Sequence, residues 1–144
     1  MPYTSIVVHG RKLGREIGFP TANLEPTSQF FSLEKGVYTV LVQHESNKYM
    51  GVMNIGQRPT VSKNNILAKG LLNDEQLYED MTIEVHILNF DKEIYGHSLG
   101  IEPLSYIREE KKFNSLEELK VKISRDIQIA RATFSERGLI NDVS

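Results

Sequence analysis

The feature that most limits how this chain can fold is that its only strong helical periodicity lies near the C-terminus. Six apolar residues recur there at spacings of three and four: Leu116, Leu119, Ile123, Ile127, Ala130 and Phe134. This spacing predicts one amphipathic helix with a continuous apolar stripe, and it leaves Asp126 off that stripe. Ser115 and Glu118 predict the helix start as a capping box, in which each side chain satisfies the other residue's N–H, and Gly138 predicts the helix end.

The apolar segments before this helix are short and alternate as β-strands do. They span residues 5–9, 37–42, 49–55, 82–90 and 99–107. In the fourth segment Ile83, Val85 and Ile87 share one face, and Glu84 falls on the opposite face. Pro103 interrupts the fifth segment, which predicts an edge strand or a bulge. Short strands followed by one long helix predict a mainly β fold, a small antiparallel barrel closed or capped by that helix.

Three connecting segments have weaker signals. Residues 24–35 are interpreted as a long connection, Ser46–Asn47 as a hairpin turn, and residues 62–80 as an insertion with a short helical turn.

The terminal helix has two interpretations. A stripe this wide usually packs on the protein's own sheet, and a helix that binds a partner protein is the alternative.

Composition narrows the class of protein. A chain of 144 residues, 40% hydrophobic and 25% charged, suits one globular domain over residues 1–144. The net charge of −2 argues against a surface that coats nucleic acid. Cysteine is absent, which excludes disulfides and thiolate metal sites and fits a cytoplasmic protein. No 18-residue apolar run is present, so no membrane span is expected. The four histidines are scattered without HExxH spacing, which predicts no histidine metal site.

Residues 10–23 form the segment whose residue types are best suited to binding a ligand. Three glycines at four-residue steps alternate with three cations, and the segment ends in Pro-Thr-Ala-Asn. Glycines let backbone N–H groups approach an anion, while the Thr21 hydroxyl and the Asn23 amide supply the oxygen ligands that Mg²⁺ prefers. The segment therefore fits a metal–nucleotide complex, although it is not a Walker A loop. A plain glycine-rich surface connection is the alternative.

Two further places carry possible chemistry. Glu84 lies in the middle of a strand, where a carboxylate can accept the proton of a bound alcohol; a solvated carboxylate is the alternative. The charged run 108–113 ends in Phe113, and an aromatic ring beside cations can clamp a planar ligand. The alternative for that run is an ordinary solvated loop.

Six motifs, in order along the chain, resemble successive motifs of the riboflavin kinase family. They lie in residues 7–24, 36–38, 51–60, 83–91, 95–96 and 108–119, and include G-F-P-T-A-N and G-V-M-N-I-G-Q-R-P-T. The resemblance implies a six-stranded antiparallel Greek-key barrel with a C-terminal helix. It also implies transfer of the ATP γ-phosphoryl group to the 5′-hydroxyl of riboflavin, giving FMN and ADP.

The resemblance also implies a set of site residues. At the nucleotide it places Gly10, Arg15, Thr21, Ala22, Ile87, Asn89 and Tyr95. At Mg²⁺ it places Thr21 and Asn23, and as the catalytic base it places Glu84. At the flavin it places Arg108, Lys111 and Phe113, in a mobile loop that closes over the substrate.

Some features depart from the family or leave alternatives open. Asn89 stands where bacterial members more often have aspartate, and the 62–80 connection is longer than usual. Pro2-Tyr3 resembles the junction after the adenylyltransferase domain of bacterial bifunctional FAD synthetases, which implies an N-terminal FMN adenylyltransferase partner.

A flavin-binding regulatory or scaffold module without catalysis is the alternative function. An RNA-binding regulator is a third, which the negative net charge disfavours.

Overall fold

The computed structural model describes residues 3–9, 18–57 and 81–139 of the chain. These residues form six strands, one short 3₁₀ helix and one long α-helix. The strands are β1 (Tyr3–Val8), β2 (Ala22–Leu24), β3 (Gly36–His44), β4 (Asn47–Gln57), β5 (Met81–Ile87) and β6 (Ser98–Arg108). The 3₁₀ helix is Ser28–Ser32, and the α-helix α1 is Leu116–Glu136.

The six strands close into an antiparallel barrel in the order β1-β2-β5-β4-β3-β6. Strands β3, β4 and β5 are neighbours in sequence and in space, and β6 returns to lie beside β3. A fourth strand placed beside the first of three consecutive strands is a Greek key. The predicted fold, a six-stranded Greek-key barrel with a C-terminal helix, is therefore confirmed. Within the described ranges, no helix combines the length and the apolar character needed to cross a membrane.

The alternating pattern of β5 separates the two sides of the barrel wall. Ile83, Val85 and Ile87 are buried in the barrel interior, as their spacing predicts. A second apolar cluster lies on the outer side of the wall, where strand residues such as Val52 meet Phe134 of α1. The helix thus packs on the protein's own barrel, which confirms the first of its two interpretations.

The ends of α1 follow the predicted signals, with one shift. The Ser115 hydroxyl accepts the Glu118 N–H at 3.1 Å, but the Glu118 carboxylate accepts the Asn114 N–H at 3.0 Å. Only half of the predicted capping box therefore forms as expected, because the carboxylate reaches one residue further back. At the other end Gly138 has a φ of 69°, and the Leu139 N–H donates to the carbonyl of Phe134 at 2.9 Å. This hydrogen bond, which spans the glycine in its left-handed conformation, is typical of a Schellman motif, as Gly138 predicts.

The predicted stripe of α1 is wrong at two residues. Leu116 is 51% exposed, because it is the first helical residue and does not join the outer apolar cluster. Asp126 was expected off the stripe, yet it is only 2% exposed. Asp126 lies three residues after Ile123 and four before Ala130, so its position fits the apolar stripe as well as that of Ile127. It was expected to be exposed because it is charged, not because of its position.

Pro103 lies at a bulge, as its position predicts. The register of β6 against β3 shifts twice, so that Leu104 and Ile107 have no Cα partner in β3. Both extra residues pack against the cluster beneath α1. A bulge adds twist and redirects side chains, which here gives one strand two additional apolar contacts with the helix.

The strand β2 was missed, and the segment after it is not simply a connection. Leu24 is the last residue of β2, and the 3₁₀ helix that follows buries Phe30 completely. A three-residue strand is too short to show an alternating pattern, so only its pairing with β1 and β5 reveals it. The hairpin turn occupies residues 45–46, one residue earlier than predicted, because His44 pairs with Asn47. The predicted insertion, residues 62–80, lies outside the described residues.

Replacing Gly36 with alanine is expected to lower the free energy of unfolding by about 1–3 kcal/mol more than the same change at Gly96. Gly36 has a φ of 147°, and a Cβ there would lie 2.6 Å from the Arg108 carbonyl oxygen and from the Tyr106 ring. Gly96 has a φ of 82° with no atom within 4 Å of a Cβ, so it carries only the backbone cost. Urea unfolding of both variants measures the difference. Equal decreases in the free energy of unfolding would show that the close contacts at Gly36 add nothing to the cost of the substitution.

Candidate active site

A cavity of about 240 Å³ opens at one end of the barrel. Its floor consists of Val7, Ala22, Val85 and Ile87, from three adjacent strands. The connection from β5 to β6 forms its wall with residues 90–95. This is the connection that crosses the barrel end to complete the Greek key, so the topology itself builds the cavity.

Thr21 and Tyr95 stand at the cavity with different surroundings. Thr21 is half-buried, directly precedes β2 and lines the cavity. The Tyr95 ring stacks on His9, with ring centroids 3.9 Å apart and an interplanar angle of 21°. A flat aromatic pair at a cavity of this size is suited to a planar base.

Asn23 and Glu84 are directly opposite each other on adjacent strands. Their Cα atoms are register partners in the β2–β5 pair, and Asn54 is the partner of Glu84 on β4. Partners in an antiparallel pair project their side chains to the same face, with Cβ atoms about 4.5–5.5 Å apart. Because Val85 points into the core, this face is the outer one. The structure therefore brings the amide and the carboxylate together, beside Thr21 at the cavity edge.

Asn54 adds an unmet hydrogen-bond acceptor to this outer face. Its Oδ1 is buried and has no hydrogen-bond partner among the described residues. A buried polar atom without a partner is costly and rare in native proteins. Its position next to Glu84 leaves a second acceptor on this face that a ligand donor can reach.

His86 fastens the residues before Thr21 to β5. Its Nδ1–H donates to the Pro20 carbonyl at 2.7 Å, and the Phe19 ring packs edge-on against the imidazole, 5.7 Å between centroids. Burial lowers the pKa of His86 below its usual 6.5, and the hydrogen bond to Pro20 opposes this only in part. The neutral imidazole therefore holds the Pro-Thr-Ala-Asn segment in place at neutral pH.

Stability is expected to fall as the pH drops below about 6.5, and His86→Asn is expected to reduce this dependence. With its pKa lowered in the folded state, His86 takes up a proton more readily when the chain unfolds. The free energy of unfolding therefore falls as the pH drops from about 6.5 toward the lower folded-state pKa and stays reduced below it, while at neutral pH the effect vanishes. Urea unfolding of both proteins at pH 7.5 and pH 5.5 tests this; identical slopes against pH would assign the dependence to other groups.

Arg108 is held by a buried carboxylate on α1. Its Nε donates to Asp126 Oδ1 at 3.0 Å and its Nη2 to Oδ2 at 2.8 Å, a bidentate pair. The side chains are 17% and 3% exposed respectively. The pair joins the end of β6 to the middle of α1, and so fixes where the following segment 109–115 begins.

The Phe113 ring lies near two cations, one at the end of β6 and one in the segment 109–115. The Arg108 guanidinium is 5.7 Å from its ring centroid and the Lys111 ammonium is 5.9 Å from it. The Glu110 carboxylate lies over Gly56, where a Cβ would collide with it. Because Gly56 pairs with Thr82, two residues from Glu84, the segment reaches the same outer face as Glu84.

The structure divides the sequence-predicted site residues into groups. Gly10 and Arg15 lie outside the described residues. Four line the cavity: Thr21, Ala22, Ile87 and Tyr95. Asn23 and Glu84 lie together on the outer face, and Arg108, Lys111 and Phe113 lie on the segment beside it. The strand β5 ends at Ile87, three residues earlier than predicted, so Asn89 follows the strand, where it is exposed with a φ of 58°.

Sequence reasoning assigned no role to five residues of the site: His9, Asn54, His86, Glu110 and Asp126. His9 stacks on Tyr95, and its pairing depends on a contact across 86 positions that no local pattern encodes. Glu110 was interpreted only as part of a charged run. Asp126 had a usable signal, because an acid at stripe spacing on a core helix requires a buried basic partner.

The chain is similar in sequence to known proteins of one family. A family model described as riboflavin kinase (flavokinase) matches residues 1–134. The bifunctional riboflavin kinase/FMN adenylyltransferase of Haemophilus influenzae is 41% identical over 130 residues, which cover 90% of this chain and 37% of that protein. An RNA-binding riboflavin kinase of Bacillus subtilis is 37% identical over 134 residues, which cover 93% of this chain and 51% of that protein.

A solved structure supports the same likeness. The crystal structure of riboflavin kinase from Trypanosoma brucei matches with a TM-score of 0.62 and 25% identity, covering 94% of this chain and 80% of that one. The chain spans about a third to a half of the length of the two curated relatives above.

Proposed function

This chain belongs to the riboflavin kinase family, and on that premise we propose that it transfers the γ-phosphoryl group of ATP to the 5′-hydroxyl of riboflavin. The products are FMN and ADP. The observation that carries the proposal is the pairing of Asn23 with Glu84 on adjacent strands, next to a cavity that reaches Thr21. Phosphoryl transfer needs placement, charge neutralisation and a proton acceptor, and these residues offer all three.

The nucleotide belongs in the cavity at the barrel end. In this proposal the adenine lies near Ile87 and Tyr95, and its phosphates extend past Ala22 toward Thr21. Gly10 and Arg15 would complete the phosphate site from the glycine-rich segment. Asn89, exposed in its turn, would contact the ribose from outside rather than line the cavity.

The donor set at Thr21 and Asn23 fits Mg²⁺. Both side chains offer neutral oxygens, and a magnesium ion that carries nucleotide phosphates usually takes only one or two protein ligands. His86 holds the Pro20 carbonyl and thereby positions the hydroxyl of the next residue, Thr21. Neutralisation of the phosphate charge is the chemistry that the bound ion supplies.

Glu84 acts as the proton acceptor in this mechanism. It takes the proton of the riboflavin 5′-hydroxyl as that oxygen bonds to the γ-phosphorus and the bond from phosphorus to the ADP oxygen breaks. The unmet acceptor of Asn54, beside Glu84, suits a second hydroxyl of the ribityl chain. Two acceptors side by side would orient the polyol and select the terminal oxygen for attack.

The segment 108–113 supplies the flavin contact. Phe113 provides an aromatic face for the isoalloxazine ring, while Lys111 and Arg108 lie near that face. The Arg108 guanidinium is already bound to Asp126 on two of its nitrogens, so its role here is to position the segment. Closure of this segment over the substrate would exclude water from the reacting phosphate.

The direct test is FMN formation from riboflavin, ATP and Mg²⁺ by the 144-residue chain. FMN and ADP are expected in equal amounts, because each phosphoryl transfer gives one molecule of each product. Flavin binding without turnover would instead support the regulatory module. Omission of Mg²⁺, and replacement of ATP by other nucleoside triphosphates, test the ion and the nucleotide separately.

The bifunctional relatives suggest a partner activity. We propose that this kinase module works beside an FMN adenylyltransferase domain, as the name of the Haemophilus influenzae relative pairs the two activities. The mass of the intact protein in cells tests this. A cytoplasmic location stays a prediction, which fractionation of the same cells would test.

RNA binding is the second function to test, because the Bacillus subtilis relative is described as RNA-binding. The net charge of −2 predicts weak binding that salt abolishes. Retention on RNA at about 200 mM salt would contradict this and assign the chain an additional activity.

A further inference from the structure

Two histidines and a glutamate meet at a place that the proposed reaction does not use. His44 ends β3, Glu45 lies in the hairpin turn that follows, and His97 directly precedes β6. One ligand atom from each lies within 4.8 Å of the others. The histidines are 53 positions apart, so their sequence spacing gave no sign of this cluster.

The geometry of the three side chains is convergent. His44 Nε2 and His97 Nδ1 are 2.9 Å apart, and the ring centroids are 5.1 Å apart. The two nitrogens face each other at hydrogen-bond distance, so in the metal-free protein one imidazole N–H donates to the nitrogen of the other ring. Glu45 Oε1 lies 3.6 Å from the same His44 nitrogen. His44 is only 7% exposed, with Phe90 packed edge-on against its ring, so the imidazole is held firmly.

The backbone of Glu45 adds an independent observation. Its φ is 56°, a left-handed conformation that glycine and asparagine adopt readily and glutamate does not. The first position of a two-residue hairpin turn is where glycine or asparagine is usually found. Strained residues cluster at functional sites, and here the strained residue is the one whose carboxylate faces His44.

From these observations we propose that His44, Glu45 and His97 bind one divalent transition-metal ion of the zinc class. Two imidazole nitrogens and one carboxylate oxygen are ligands that Zn²⁺ takes, with a fourth position for water. In a tetrahedral site with bonds of about 2.0–2.1 Å, neighbouring nitrogens lie roughly 3.3 Å apart. The two nitrogens therefore need to separate by a few tenths of an ångström, and the proton of their hydrogen bond leaves when both bind the ion. Mg²⁺ prefers oxygen ligands, so this site and the proposed site at Thr21 select different metals.

The bound ion joins two parts of the barrel end. His97 belongs to the connection that forms the cavity wall, and its backbone N–H donates to Ile94, a cavity residue, at 2.9 Å. His44 contacts Phe90, which lines the same cavity. An ion held by both histidines fixes the β3–β4 hairpin to this wall, so the site serves to stabilise the barrel end.

Zinc titration of the nucleotide-free chain tests the proposal. Calorimetry is expected to show one Zn²⁺ per chain, and zinc is expected to raise the Tm. His97→Gln, at an exposed side chain, is expected to weaken zinc binding at least about tenfold, the lower range for disturbing a metal's surroundings. His9→Gln is the matched control, since it also removes an exposed histidine at this end of the barrel, and it is expected to bind zinc as the wild type does.

The variant Glu45→Asn distinguishes the role of Glu45 as a metal ligand from its role in the hairpin turn. Asparagine tolerates the left-handed conformation, so this variant is expected to have a higher Tm than the wild type without metal. It is also expected to bind zinc more weakly and to gain less Tm from it. Zinc affinity unchanged in both His97→Gln and Glu45→Asn, or equally reduced in His9→Gln, would overturn the proposal, as would the absence of stoichiometric binding to the wild type.

Discussion

Glu84→Gln is expected to lower kcat for FMN formation by about 10²–10⁴-fold, the range for loss of a positioned proton acceptor. Glutamine keeps nearly the same volume and can still accept a hydrogen bond, but it cannot take the proton of the attacking hydroxyl. The KM for ATP is expected to stay unchanged, because Glu84 lies on the outer face of β5 while the cavity is reached from the barrel end. Steady-state kinetics with riboflavin and ATP varied in turn measure both quantities.

Glu102→Gln is the matched control for this substitution. Glu102 is exposed on β6 and pairs with Leu41 of β3, so it removes the same charge from a strand on another side of the barrel. Its kcat is expected to equal that of the wild type. If Glu84→Gln retained full kcat as well, the proton would have another acceptor and the proposed mechanism would lose its base. A parallel fall of kcat in both variants would indicate a general electrostatic effect.

The parts of the fold that could be predicted are those with a local pattern. The alternation of Ile83, Val85 and Ile87 determines which side of β5 is buried, since a strand with one apolar face has only one favourable orientation. Ser115 and Gly138 mark the ends of α1 through backbone chemistry that acts within a few residues. The strand β2 has no such pattern, because three residues gain their structure from pairing with β1 and β5.

The candidate site shows the same division between local and long-range information. The Pro-Thr-Ala-Asn segment and Glu84 stand out from residue types alone, but only the β2–β5 register places Asn23 opposite Glu84. The histidine cluster and the Arg108–Asp126 pair each join residues far apart in the chain. Such pairs were missed because a single sequence reports which residues are polar and not which partners the topology gives them.

Asp126→Ala is expected to lower the free energy of unfolding by about 3–5 kcal/mol, the cost of leaving one charge of a buried pair without its partner. Asp126 is 3% exposed in its side chain and binds Arg108 through both oxygens. The loss leaves a guanidinium beneath α1 with its two hydrogen bonds unmade. Arg125→Gln, at the neighbouring exposed position, is expected to change the free energy of unfolding by less than about 0.5 kcal/mol. Urea unfolding measures all of these values.

The combined variant Arg108→Met with Asp126→Leu shows whether the cost arises from the unpaired charge or from lost packing. If the unpaired charge is the cause, removing both partners should cost less than the sum of the single changes, because no buried ion remains. If the two losses add, the groups are not coupled, and the pair does not join β6 to α1. The milder Asp126→Asn keeps the volume and one acceptor, so it should keep the fold while loosening Arg108. Because the segment carrying Phe113 begins at that arginine, this variant is expected to raise the KM for riboflavin more than the KM for ATP.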